Sequence, residues 1–123
     1  MAQGFLQSFD RNSTVCSAGT IPAQKINEKA VMVMKEAGID ISNHKPVSIE
    51  KYLEEVWDYV ITVCDDANET CPLFTGKVKH RLHMGFKDPS SMIGTDEEIM
   101  TEFRRVRDRI KIAFYDFYKN HLA

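Results

Sequence analysis

Residues 57–64 read Trp-Asp-Tyr-Val-Ile-Thr-Val-Cys, a nearly continuous apolar and β-branched run. A half-buried strand alternates polar and apolar residues, whereas an uninterrupted run of this kind fits a strand of a parallel sheet covered on both faces. The next stretch, 65–76, is polar and rich in turn formers, with Asp65, Asp66, Asn68, Pro72 and Gly76. It reads as a loop or frayed helix over the carboxyl edge of that sheet.

The other elements follow from periodicity and punctuation. Met1, Phe5, Leu6 and Phe9 fall close to one helical stripe, and Thr14 to Ala18, closed by Gly19, reads as a brief strand. Between Ile26 and Ala37 the apolar positions Ile26, Ala30, Val33, Met34 and Ala37 keep helical spacing, and Gly38 stands where a helix end favours a left-handed residue. Residues 47–53 form a short helix and 78–86 alternate as a strand. Thr95 with Glu98 makes a capping box ahead of the stripe Ile99, Phe103, Val106, Ile110, Ala113 and Phe117, a long amphipathic final helix. Strands alternating with helices predict an α/β fold with a mainly parallel sheet, helices on both faces and right-handed crossovers. At 123 residues the chain fits one domain, 1–123.

Composition excludes several functions. Sixteen basic against eighteen acidic side chains give a net charge of -2, without the basic excess that drives binding to nucleic acid. No apolar run approaches the roughly 20 residues that span a bilayer, and the first residues lack a charged segment followed by an apolar one, so no membrane association and a cytoplasmic location are expected. Three cysteines, an odd number, argue against a secreted disulfide framework and for reduced thiols.

The candidate chemistry gathers behind the two strands. Cys64 and Asp88 each follow a predicted strand, and in open parallel sheets ligands bind beyond the carboxyl ends of the strands. Cys71 lies seven residues past Cys64 on the turn-rich segment, an arrangement suited to thiol–disulfide exchange because a mobile loop can bring two sulfurs to the bonding distance of about 2 Å. Spacing alone leaves open that the two are unrelated, one of them packed as a small hydrophobe. A zinc site joining them to His80 and His83 is disfavoured, since six intervening residues exceed the usual two to four. Asp88-Pro89 fixes a carboxylate on a restricted backbone, as a general acid requires, although such a turn also occurs without chemistry. Cys16, among Val15, Ser17 and Ala18, reads as a buried inert thiol. Met32 and Met34 read as core, and the cluster Arg104, Arg105, Arg107, Arg109 and Lys111, balanced by Glu97, Glu98, Glu102 and Asp108, as a solvated face.

Taken together, Val-Cys-Ser-Ala-Gly at 15–19, Asp-Ile-Ser-Asn-His at 40–44, the strand ending at Cys64, Cys71-Pro72, His83-Met84-Gly85-Phe86-Lys87-Asp88-Pro89 and Phe103-Arg104-Arg105-Val106-Arg107-Asp108 resemble the thioredoxin-coupled arsenate reductases over nearly the whole chain. The resemblance implies the low-molecular-weight tyrosine phosphatase fold, a three-layer α/β/α sandwich around a four-stranded parallel sheet. It also implies a relay in which a first cysteine, in an anion-binding loop after the first strand, attacks arsenate while the Asp-Pro carboxylate protonates the departing oxygen. A second cysteine then attacks the arsenic-bearing sulfur and releases arsenite, and a third resolves the disulfide and passes it to thioredoxin. Asp88 matches the acid, Cys64 the second thiol and Cys71 the third. Asp88-Pro89-Ser90-Ser91 lacks the tyrosines that follow Asp-Pro in the tyrosine phosphatase branch, which favours oxyanion reduction over phosphotyrosine hydrolysis.

The departures carry expectations of their own. The family's first strand and its Cys-x5-Arg-Ser loop should stand ahead of Met1-Ala2-Gln3-Gly4-Phe5, and the expectation is an N-terminally truncated member that lacks that strand. Without the nucleophile and its nest of N–H donors the chain alone is expected to have neither arsenate reductase nor phosphatase activity. Cys16 falls on the matching second strand, without a Gly-rich nest, and is no substitute. Some members bind potassium through a serine and acidic side chains; Ser17 matches the serine, but Gln3 and Val47 stand in place of the acids, so no ion site, and no other cofactor or metal, is expected. The absent strand would leave unpaired backbone and an apolar slot, to be closed by the flanking strands or filled by another chain, and a homodimer is expected on that ground. Two readings stand: a family enzyme whose recorded chain begins late, or a non-catalytic domain that interacts with itself or with thioredoxin-like partners.

Overall fold

The computed structural model describes residues 1–18, 27–45, 47–63, 76–87, 89 and 92–122. In chain order the elements are α1 (Ala2–Phe9), α2 (Glu28–Glu36), a 3-10 turn (Ile49–Tyr52), β1 (Val56–Thr62), β2 (Lys77–His83), α3 (Asp96–Phe117) and a closing π-helical turn (Tyr118–Leu122). The ends at Gly38 and Thr95 are built from the expected side chains, whereas α2 starts at a cap, Asn27, that lies inside the helix as read from the sequence. Asn27 caps α2 by accepting from the N–H groups of Lys29 and Ala30, and Gly38 beyond it has φ of 82°, a conformation in which a Cβ would be strained. At α3 the Thr95 hydroxyl accepts from Glu98 N at 3.2 Å and donates to the Glu98 carboxylate at 3.2 Å, so the capping pair closes through the hydroxyl.

β1 and β2 are parallel neighbours, with Val56 opposite Lys77 and Thr62 opposite His83. The strand period divides their side chains between two faces. Tyr59, Ile61 and Leu82 lie on the face turned to the core, where Tyr59 meets Phe117 of α3 edge-on at 5.2 Å between centroids. The opposite face carries Val56, Asp58, Val60 and Thr62 from β1 and Lys77, Lys79, Arg81 and His83 from β2, and Lys79 pairs with Asp58 across it at 3.2 Å. The run expected to be covered on both faces is thus parallel but enclosed on one side only among the described residues, with Val56 62% exposed. Both strands are edges of a two-stranded sheet there, and no described element lies over the second face.

α3 is the wall on which the rest assembles. Phe103, Val106, Ile110, Phe114 and Phe117 are buried along it, against Phe5 and Leu6 of α1 and Ala30, Val33 and Met34 of α2. Gly4 lets α1 approach closely, for a Cβ there would meet Ile41 Cγ2 at 2.8 Å. The arginine cluster does more than solvate a face: Arg104 binds Glu36 bidentately, at 2.9 and 3.0 Å, and Arg107, partly buried, donates to Val33 O at 2.9 Å and to Glu36 at 3.1 Å. The hydrogen bond from Arg104, supported by its charge and by Arg107, holds the exposed Glu36 carboxyl below its ordinary value. A depressed folded value gives stability that is present above the unfolded pKa and lost as pH falls through the folded one. Glu36→Gln is therefore expected to lower Tm at pH 7 and to fall less steeply than the unsubstituted chain below about pH 4.3, the unperturbed glutamate value, which thermal unfolding from pH 7 to pH 2 would read.

Two expectations fail on the same segment and a third fails nearby. Residues 14–18 form no strand. Among the described residues nothing offers them a ladder, and Val15 O instead accepts from the side-chain amides of Gln3 and Gln7, each at 3.3 Å, while Ser17 Oγ donates to Gln3 Oε1 at 2.6 Å. Hung on α1 in this way, the segment leaves Cys16 exposed rather than buried. Met34 is fully buried, but Met32 is 56% exposed, because positions two apart on a helix point in different directions. Among the described residues no helix is long and apolar enough to cross a membrane.

Candidate functional site

The carboxyl ends of the two strands stay bound to each other past the last rung. Met84 N donates to Thr62 O at 2.8 Å and Phe86 N to Val63 O at 3.2 Å. Val63 and Phe86 are thereby fixed side by side, and Phe86 is anchored below by stacking on Phe114 at 6.3 Å. Pro89 is buried and accepts from Met92 N at 3.2 Å, which ties the turn after β2 back toward α3. The sequence leaves this edge at two points, after Val63 toward Cys64 and after Lys87 toward Asp88.

Cys64, Cys71 and Asp88 themselves lie outside the described residues, as does most of the turn-rich stretch 65–76. What the structure does decide is the fate of the two histidines once weighed as zinc ligands with the cysteines. Three residues apart on a strand, they take opposite faces: His80 stacks on Tyr59 at 5.1 Å on the core side, and His83 Nδ1 meets Thr62 Oγ1 at 2.6 Å on the other. One ion cannot draw on both without breaking the strand.

The Thr62 and His83 pair is the polar feature at this edge that sequence reading passed over. Each residue closes a strand, and parallel register puts the two strand ends on one rung. The face it belongs to is positive among the described residues, with Lys77, Lys79 and Arg81 against Asp58. A second polar contact lies at the other end of β1: the Cys16 thiol meets the Tyr52 hydroxyl, and burial first, then this contact, raises the Tyr52 phenol above its ordinary value. Tyr52 in turn packs edge-on against Trp57, whose indole N–H donates to Tyr52 O at 3.0 Å.

A family model described as low molecular weight phosphotyrosine protein phosphatase matches residues 1–122. The chain belongs to that family. Its curated relatives include arsenate reductases: that of Halalkalibacterium halodurans is 48% identical over 111 residues, 89% of this chain and 78% of the relative. Arsenate reductase 2 of Staphylococcus haemolyticus is 39% identical and the arsenate reductase of Bacillus subtilis 40%, each over 117 residues, 95% of this chain and 84% of the relative. Among solved structures, an arsenate reductase in the oxidized state superposes with a TM-score of 0.73 at 24% identity, covering 94% of this chain and 82% of that one, which shows the shared fold. The chain is an arsenate reductase family protein with the low molecular weight phosphatase α/β fold. Gln3 is a neutral amide whose oxygen accepts from Ser17 Oγ at 2.6 Å, and Val47 is apolar.

Proposed function

We propose that this chain carries the dithiol half of arsenate reduction, as one domain working in the cytoplasm with thioredoxin as reductant. In this reading Cys64 attacks the sulfur that bears arsenic, Cys71 resolves the disulfide so formed, and Asp88 protonates the departing oxygen. Arsenate gains two electrons, the thiols lose two on becoming one disulfide, and thioredoxin's own dithiol restores them. The observation that carries the reading is the 48% identity to an arsenate reductase over 89% of this chain, and Cys64, Cys71 and Asp88-Pro89 are the residues of this sequence that resemble the family's motifs. The paired ends at Val63 and Phe86 support it, because they set the starts of both functional segments at one edge of the sheet.

The 123 residues contain no Cys-x5-Arg segment, so by themselves they have no nucleophile for arsenate and no cradle for an oxyanion. The expected behaviour is therefore split. Incubated with arsenate and reduced thioredoxin the chain forms no arsenite, while its oxidised form oxidises reduced thioredoxin stoichiometrically. Arsenite production by the chain alone, or an oxidised chain inert to thioredoxin, would contradict the assignment.

A second reading, a non-catalytic or phosphatase-like domain that associates with itself, draws on one observation. Among the described residues β1 is paired on one edge only, and an unpaired edge is a template for another strand. It calls for a homodimer, and a monomeric mass by light scattering at working concentration would remove that support.

A further inference from the structure

The face of α3 turned away from the core carries two large apolar side chains that packing leaves uncovered. Ile112 is 65% exposed and Tyr115 45% exposed, and a spacing of three sets them side by side on the helix surface. Tyr115 is nevertheless held in place: its ring lies edge-on to Phe9 of α1 at 5.4 Å and beside Tyr118 at 6.5 Å, with Phe9 and Tyr118 6.2 Å from each other. A restrained, half-exposed aromatic ring next to a bare isoleucine is the kind of anchor that dominates protein contacts. The exposed positions Thr101, Arg105, Asp108, Ile112 and Tyr115 recur at intervals of four and three, the spacing at which one helix lies along another.

The charges around this centre decide what fits it. Asp108 and Lys119 stand before and after it on one line, about three turns apart, and Arg109 and Asp116 lie about two turns apart on one flank; all four are exposed. Each of these pairs carries opposite signs at its two ends. A two-fold axis makes one patch contact itself, so that residue i of one copy meets residue j of the other and the reverse. With two copies of α3 antiparallel and the axis level with the midpoint of Ile112 and Tyr115, Ile112 lies against the second copy's Tyr115 and Asp108 against the second copy's Lys119. Antiparallel pairing also brings like flanks together, which sets Arg109 within about 3 Å, along the helix axis, of the level of the second copy's Asp116. Asp108 already accepts from Arg107 Nε at 2.9 Å and Arg105 is bound to Glu102, so Arg109 and Asp116 carry the sharper complementarity.

We propose that the outer face of α3 is a self-association surface on which a second copy of this chain docks antiparallel, with Ile112 and Tyr115 at its centre and the Arg109–Asp116 and Asp108–Lys119 pairs at its rim. An apolar centre of two side chains per copy is small beside the roughly 800 Å² per partner of a standard interface, so the dimer forms at high protein concentration and dissociates on dilution. The surface is separate from the open edge of β1 and from the proposed dithiol, and neither of those readings depends on it.

The test is sedimentation velocity of the full, reduced chain from about 1 mM down to about 1 µM, the range in which contacts of this size dissociate. The mass is expected to rise toward that of two chains as concentration increases. Ile112→Asp, at an exposed position that leaves the core intact, is expected to keep the chain monomeric throughout. Arg109→Asp and Asp116→Arg each set like charges against one another across the axis, and each alone is expected to weaken dimerisation about tenfold. An equimolar mixture of those two variants again places opposite signs at that flank and is expected to recover association. A monomer at every concentration overturns the proposal. So does dimerisation that Ile112→Asp leaves unchanged, which would put the contact elsewhere, the β1 edge included, and so does a mixture that associates no better than its components.

Discussion

Phe114→Ala is expected to destabilise the chain by roughly 3–5 kcal/mol, the usual cost of emptying a phenylalanine site in a packed core. Phe114 is 3% exposed and contacts both halves of the structure. Its ring stacks on Phe86, which follows β2, and lies edge-on to Phe117, which carries Tyr59 of β1. The cavity would open under the very residues that hold the carboxyl edge of the sheet. Since domains of this size have a total stability of about 5–15 kcal/mol, the variant should lose a large part of it, seen as a lower urea midpoint with an unchanged slope. Phe114→Leu, which keeps most of the volume, should cost far less. A loss below about 1 kcal/mol for Phe114→Ala, within the range of ordinary surface substitutions, would show that α3 is not the common wall described above.

Cys71→Ser is expected to abolish the intramolecular disulfide and reduce transfer to thioredoxin to background, because the proposed relay makes Cys71 the partner thiol of Cys64. Parallel register sets Lys77 level with Val56, so the chain from Val63 to Lys77 must return along the strand, a distance of roughly 23 Å at 3.3 Å per residue. An uninterrupted α-helix from Cys64 to Cys71 would separate their Cα atoms by about 10 Å, beyond the roughly 7 Å that a disulfide allows. Once the bond forms, six residue steps from Cys71 to Lys77 must cover at least about 13 Å, more than the ~9 Å that helix provides. In the oxidised chain neither Cys64 to Cys71 nor Cys71 to Lys77 can then be one unbroken α-helix. An unbroken run of helical backbone chemical shifts from Cys64 to Cys71 in the oxidised chain would contradict the pairing.

Much of this was legible in the sequence where local chemistry and long-range packing agree. The cap at Thr95, Gly38 with its positive φ, and the α3 stripe through Phe103, Val106, Ile110 and Phe117 are local statements that the core then ratifies. Phe114 replaced Ala113 as the buried position because residues 110 and 114 are four apart and the stripe follows that row. Residues 14–18 misled because β-branched composition says nothing about whether a partner strand exists to take the hydrogen bonds. The glutamines of α1 took them, and Cys16 came to the surface as a result. Cys64, Cys71 and Asp88 are expectations from spacing and resemblance and lie outside the described residues. The pair of Thr62 and His83 was not legible, because a bond between residues 21 apart depends on register, which a single sequence does not display.

The relay is tested most directly by peptide mapping of the chain after mild oxidation, before and after addition of reduced thioredoxin. The account predicts one disulfide, Cys64 to Cys71, with Cys16 still open to alkylation, and its disappearance as thioredoxin becomes oxidised. Cys64 and Cys71 that stay alkylatable, a bond from Cys64 to Cys16 instead, or a Cys64–Cys71 disulfide that persists in the presence of thioredoxin would contradict it.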